Sequence, residues 1–217
     1  MIHRERLYAS CNWSALVLAL LASILGAIAL GTAWYRVEDS SRYTTIYYRW
    51  EGVETDAAGV RKSTEYFLLG LDHLYSLTQA TLGLTIVGFV LAFALYLAQF
   101  FYQVGKVFPS LRLSTSFLTA SWVAGVVSTL TYCAAFATYS FWNNAYSRGD
   151  TTMCADVHAL CSSFIGSSGP VSWGPYVGWA ATVVATASVF LSTILFFVGS
   201  KKERIVENFE EQLLGNN

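Results

Sequence analysis

Four long stretches of this chain carry no charge, and they decide what it can fold into. Between Arg6 and Arg36 lie 29 residues without a charge, between Asp72 and Lys106 there are 33, and between Arg112 and Arg148 there are 35. Beyond Asp156 the next charge apart from His158 is Lys201. A bilayer core about 30 Å thick needs about 20 apolar helical residues at a rise of about 1.5 Å each, so every gap is long enough for one transmembrane helix. The gaps predict four spans, at 13–35, 76–104, 115–142 and 174–199. Composition agrees: 54% of residues are hydrophobic and 12% charged, against about 25% charged in an ordinary soluble domain. A soluble globular protein is thereby excluded. The 13 Lys and Arg nearly cancel the 14 Asp and Glu, which leaves no basic footprint for a nucleic-acid partner.

The first apolar run follows His3, Arg4 and Arg6, as a signal peptide would, with Ala33 a small residue near its end. At about twenty residues it exceeds the usual signal core of about 7–15, and it closes on the interfacial pair Trp34-Tyr35, so it reads as a retained helix. Four spans put both termini on one side. Arg4 and Arg6 before the first span, and Lys201, Lys202 and Arg204 after the last, predict cytoplasmic ends for segments 1–12 and 200–217, in a protein of the plasma membrane. Cys154 and Cys161 in the last loop are disulfide-competent only outside the reducing cytosol, which favours the same orientation. The sequon Asn12-Trp13-Ser14 would then face the cytoplasm and stay unused.

Between the first two spans, Arg36 to Asp72 holds 12 of the chain's 27 formal charges in 37 residues. Thr44-Thr45-Ile46-Tyr47-Tyr48-Arg49-Trp50 is rich in β-formers, with Ile46, Tyr48 and Trp50 on one face, and turn residues at 54–59 precede a second run at 60–67. The expected fold is an all-α membrane bundle of four transmembrane helices, with a small extracellular β-hairpin or sheet in loop 36–75. The connection 105–114 is short and contains Pro109, which predicts antiparallel neighbours for the second and third spans. Loop 143–173 ends in Gly169-Pro170-Val171-Ser172-Trp173, and Pro175 suits the first turn of the fourth span.

Candidate chemistry is sparse. No ionisable residue lies inside a predicted span, whereas membrane enzymes and proton-coupled transporters need such groups at depth. Asp72-His73 reads as a solvated or capping pair. Cys154, His158 and Cys161 lack the Cys-x-x-Cys pairs of a zinc site, so the cysteines read as a disulfide. Seven residues of helix would separate them by about 10.5 Å, beyond the roughly 7 Å Cα limit, so the bridge requires an irregular turn between them. No metal, cofactor or catalytic constellation is expected, and the chain does not read as an enzyme. Cys11 is juxtamembrane and is either a palmitoylation site or an inert thiol; Cys133 reads as a packing residue. Small residues recur at Ser23, Ala27 and Gly31 and at Gly178, Thr182 and Thr186, for close helix approach within the chain or between chains. Gln79, Gln99, Gln103, Ser121, Ser128 and Thr131 either hydrogen-bond between helices or line a pore. The tail from Lys201 to Leu214 has apolar residues at helical spacing beside an acidic face, which suits a protein partner better than an anionic leaflet.

At the start of the fourth span the chain reads Tyr176-Val177-Gly178-Trp179-Ala180-Ala181, which resembles the start of the fourth helix of claudins, and the four-span plan resembles the wider superfamily that includes peripheral myelin proteins. That resemblance implies four spans, cytoplasmic termini, a first outer loop folded as a β-sheet, and lateral or head-to-head assembly through it. The claudin Gly-Leu-Trp signature and first-loop cysteine pair are missing: Trp50 stands in Tyr48-Arg49-Trp50-Glu51-Gly52, and loop 36–75 has no cysteine. A junctional role is therefore not inferred.

The expected function is protein–protein assembly through the outer loops, as a homo-oligomer or with partner membrane proteins, in contact with membrane lipids. Tyr43, Tyr47, Tyr48, Trp50 and Trp173, residue types enriched at interfaces, are the candidate contact residues. The alternatives are an oligomeric channel using acids such as Glu51, Glu54 and Asp56, and an accessory subunit of a larger membrane complex.

Overall fold

The computed structural model describes residues 2–108, 114–148 and 161–214. Helix α1 (Ile2–Gly31) leads into strands β1 (Tyr35–Asp39), β2 (Thr44–Tyr48), β3 (Gly52–Ala57) and β4 (Val60–Glu65). A single 3₁₀ turn, Phe67–Leu69, precedes helix α2 (Asp72–Val107). Helices α3 (Thr115–Tyr139) and α4 (Trp142–Ser147), strands β5 (Gly166–Ser168) and β6 (Val171–Pro175), and helix α5 (Val177–Leu214) follow. The stretches Ala9–Gly31, Asp72–Val107, Thr115–Tyr139 and Val177–Lys201 are long and apolar enough to cross a membrane, compatible with a four-span bundle. The expected small hairpin is instead a six-stranded antiparallel sheet of order β4-β3-β2-β1-β6-β5. The reason is that β1 has partners on both sides: it pairs locally with β2 and also with β6, about 135 residues away.

Three boundaries move with this. The first span ends at Gly31 and not at Tyr35, because Trp34 is packed inward and Tyr35 opens β1. The third ends at Tyr139, with Trp142–Ser147 a separate short helix. Pro175 closes β6 and does not sit in the first turn of α5, which starts at Val177. Pro109, Cys154 and His158 lie outside the described residues.

Residues divide into two compact units, and each long helix contributes to both. One comprises 1–24, 88–130 and 185–217. Its helices are joined by uncharged polar side chains: Gln99 Nε2 donates to Ser192 Oγ at 2.9 Å, and Ser192 Oγ donates to the Ala15 carbonyl at 2.8 Å. Ser128 Oγ donates to the Gly88 carbonyl at 2.7 Å. Without water to compete, such bonds tie helices together, and they give Gln99 and Ser128 an interhelical role. Asn12 is buried within α1, its carboxamide beside Gly199.

The second unit, 25–87 and 131–184, holds the sheet and the main apolar core. One sheet face presents Tyr35, Val37, Tyr48, Val53 and Trp173 to that core, where they meet Tyr66, Leu74, Tyr139, Trp142 and Tyr146. Tyr35 stacks on Trp142 at 4.0 Å between centroids, and Trp142 on Tyr146 at 4.7 Å. Aromatic bodies supply much apolar area in a small volume, and their polar tips find backbone: Tyr35 Oη donates to Phe164 O, and Trp173 Nε1 to Ser163 O. On α1 the inward seam is Ala15, Ala19, Ala22, Gly26 and Ala29, one face of the helix, whereas Ala27 and Gly31 of the expected ridge are exposed. On α5 the expected Gly178, Thr182 and Thr186 are buried. Gly178 is held by packing: a Cβ there would lie 2.3 Å from the Trp34 ring.

Candidate functional site

Strand alternation sends most of the strands' charged residues to the face of the sheet opposite the core; Asp39 and Lys62 belong to the other set. Two cross-strand rows form. Arg36, Tyr47, Glu54 and Ser63 are register partners along one, and Glu38, Thr45, Asp56 and Arg61 along the next. Charges of opposite sign meet on this face. Arg49, just after β2, lies with its Nε 2.9 Å from Glu54 of β3, Arg61 of β4 reaches both Glu54 (3.6 Å) and Asp56 (3.1 Å), and within β1 Arg36 pairs with Glu38 at 3.2 Å. Glu54 and Asp56, considered above for a conducting path, are thus held in ion pairs with arginines. Asp72 and His73 are exposed at the start of α2, in keeping with a solvated role.

Where this face meets the ends of the spans, two clefts flank Tyr176. One, of about 270 Å³, lies among Thr32, Tyr47, Arg49, Arg61 and Val177, with Glu54 in its wall. The other, of about 390 Å³, lies beside Arg36, Ile165 and Trp173. The Tyr176 ring separates them, 5.5 Å from the Tyr47 ring and 5.4 Å from the Arg36 guanidinium.

The far end of the sheet is an exposed tip. There the β1–β2 turn is organised by Asp39, whose Oδ1 accepts from Ser41 N (2.9 Å), Ser41 Oγ (2.6 Å) and Arg42 N (3.3 Å). The Ser41 hydroxyl foremost, with the backbone N–H groups and the Arg42 charge, holds the Asp39 carboxyl below its ordinary value. This turn places Tyr43 at φ +51°, 82% exposed, with Val60 at the start of β4 also in solvent. At the other extremity of β4, the 3₁₀ turn exposes Phe67 and Leu68 by 76% and 72%.

The sequence-derived interface residues therefore divide. Tyr43 is exposed and Tyr47 half-buried at a cleft, but Tyr48, Trp50 and Trp173 are core residues. The correction follows from their register: Tyr48 is opposite Tyr35, and Trp173 opposite Val37, on the inward face. Burial raises the Tyr48 hydroxyl's pKa well above its ordinary value, and likewise that of Tyr35 and Tyr66, so these phenols stay neutral. Phe67, Leu68 and Arg61 were missed; an apolar triplet between two charged segments was the available signal. Cys11 carries a partly exposed free thiol near the sheet-distal end of the first span, and Cys133 is free and half-buried. Cys161 packs partly buried against the core, while its expected partner Cys154 lies outside the described residues. Among the described residues no group of His, Cys, Asp or Glu could hold a metal ion.

No protein-family model matches this chain, and no curated protein matches it.

Proposed function

We propose that this is a non-enzymatic, claudin-like four-span protein of the plasma membrane, with cytoplasmic termini, whose extracellular sheet mediates assembly with further copies of itself. The observation that carries this reading is the exposed Phe67-Leu68 pair at the end of edge strand β4. Large apolar side chains exposed together at a sheet edge mark contact surfaces. A second exposed site, Tyr43 with Val60 at the tip, suits contacts between facing membranes, whereas Phe67 and Leu68, five and four residues before α2, suit lateral contacts within one membrane. A bridge between Cys154 and Cys161 would pin the loop that delivers β5 and β6 to the sheet. Palmitoylation of Cys11 belongs to the same reading, as an added anchor on the cytoplasmic side.

Cysteine crosslinking tests lateral assembly. A Leu68→Cys variant carrying Cys11→Ser and Cys133→Ser, oxidised in native membranes, is expected to run at twice the chain mass and to collapse to monomer on reduction. A monomer under oxidising conditions would count against contact at this edge.

A further inference from the structure

We propose that the cleft between Arg49, Arg61 and Tyr176 binds the phosphodiester of a glycerophospholipid from the leaflet on the sheet side. This rests on the four-span reading and is independent of self-assembly.

The cleft stands at the level where two spans end. Thr32, in its wall, directly follows the stretch Ala9–Gly31, and Val177, also in its wall, begins the stretch Val177–Lys201. Its charged lining is Arg49, Arg61 and Glu54, and Asp56 lies 3.1 Å from Arg61, so the group is charge-balanced and it is the directed N–H donors of the two guanidiniums that suit a phosphodiester. The arginines hold donors in reserve. A guanidinium has five N–H groups; Arg49 commits Nε to Glu54, and Arg61 commits Nε and Nη1 to Asp56 and Glu54. Among the described residues, both Arg49 Nη groups and Arg61 Nη2 have no protein partner, and paired guanidinium donors match phosphate geometry. Both side chains already pair with Glu54, at 2.9 and 3.6 Å, which limits the rotamer freedom lost on binding. Tyr47 and Tyr176 place amphipathic rings at the headgroup level, where tyrosine is enriched in membrane proteins.

An apolar track leads away from the cleft toward the membrane. Ile28, one helical turn from Thr32, and Val184, two turns from Val177, are exposed on the same faces of α1 and α5. A glycerophospholipid could seat its phosphate on the arginines and lay acyl chain along Ile28, Val177 and Val184. A free phosphate or an acidic peptide would use the cations but not this track, and that difference favours the lipid.

The test is native mass spectrometry of the full chain in detergent, titrated with dioctanoyl phosphatidylcholine. A saturable adduct is expected, weakened at least tenfold in Arg49→Gln and Arg61→Gln and unchanged in Arg42→Gln, a control at the tip. Dioctanoylglycerol, which lacks the phosphate, is expected not to bind, and millimolar inorganic phosphate or a poly-glutamate peptide not to displace the lipid. Should Arg49→Gln misfold, Arg61→Gln carries the test, because its side chain is 68% exposed. An undiminished adduct in Arg61→Gln, equal binding of dioctanoylglycerol, or displacement by either soluble competitor would overturn the proposal. Alkaline carbonate extraction separates the two levels: release from membranes would refute the four-span reading, while retention without an adduct would refute the lipid site alone.

Discussion

The indole Nε1 of Trp50 donates to the backbone carbonyl of Leu30 at 2.9 Å, capping the end of a membrane-spanning helix from within the sheet domain. The last carbonyls of any helix lack intrahelical partners. Here three are met in succession: Ile28 O by Thr32 Oγ1 at 2.8 Å, Ala29 O by Trp34 Nε1 at 2.8 Å, and Leu30 O by Trp50. Trp50→Phe keeps an aromatic body but leaves the Leu30 carbonyl unsatisfied in a buried setting. The expected cost is about 1–3 kcal/mol, read as a lowered midpoint of thermal unfolding in detergent.

Strands β3 and β4 come together at Gly52, where an added Cβ would lie 2.4 Å from the Thr64 carbonyl oxygen. Backbone cannot move aside as a flexible side chain does, so Gly52→Ala should separate this end of the pair and cost about 1–3 kcal/mol. Gly31→Ala is the internal control: a Cβ there meets nothing within 4 Å, and stability should be retained. Equal midpoints for the two variants would contradict the close approach.

Acid should loosen the tip of the sheet. The Asp39 carboxyl has a folded pKa below its ordinary 3.8, so the stabilisation it gives is full above 3.8 and is lost as pH falls through the lower folded value. Hydrogen exchange at the Ser41 and Arg42 amides should therefore show reduced protection in that acid range. Asp39→Ala should show the loosened turn already at neutral pH, with no further change on acidification.

If Cys154 and Cys161 are bridged, the intact chain gains two hydrogens in mass on reduction. Closing so short a loop stabilises by about 2 kcal/mol in the chain-entropy account, so reductant should lower the unfolding midpoint to the same extent as Cys161→Ser. An unchanged mass on reduction would exclude the bridge.

What the sequence made legible was local. Charge-free gaps locate the four long helices because an unpaired charge in a bilayer costs too much to occur by chance. Alternation at Ile46 and Tyr48 marks a strand and its inward face. Trp173 also sits in an alternating segment, Val171-Ser172-Trp173, but that β6 pairs with β1 is a relation between residues some 135 apart that no local pattern records. For the same reason aromatic residues misled. A tyrosine suits an interface and a core equally well, and only the register opposite Tyr35 makes Tyr48 a core residue. The clefts were illegible because Arg49, Arg61 and Tyr176 come from three separate segments.

The central claim is that the sheet's exposed edge drives self-assembly, and the mass of the protein particle tests it most directly. Phe67 and Leu68 make no contribution to the buried core, so Phe67→Ser with Leu68→Ser should leave the unfolding midpoint unchanged. Light scattering after gentle detergent extraction is expected to give a multiple of the chain mass for the native protein and a single chain for the double variant. A native protein that is already a single chain, or a double variant that keeps the native multiple, would contradict the account.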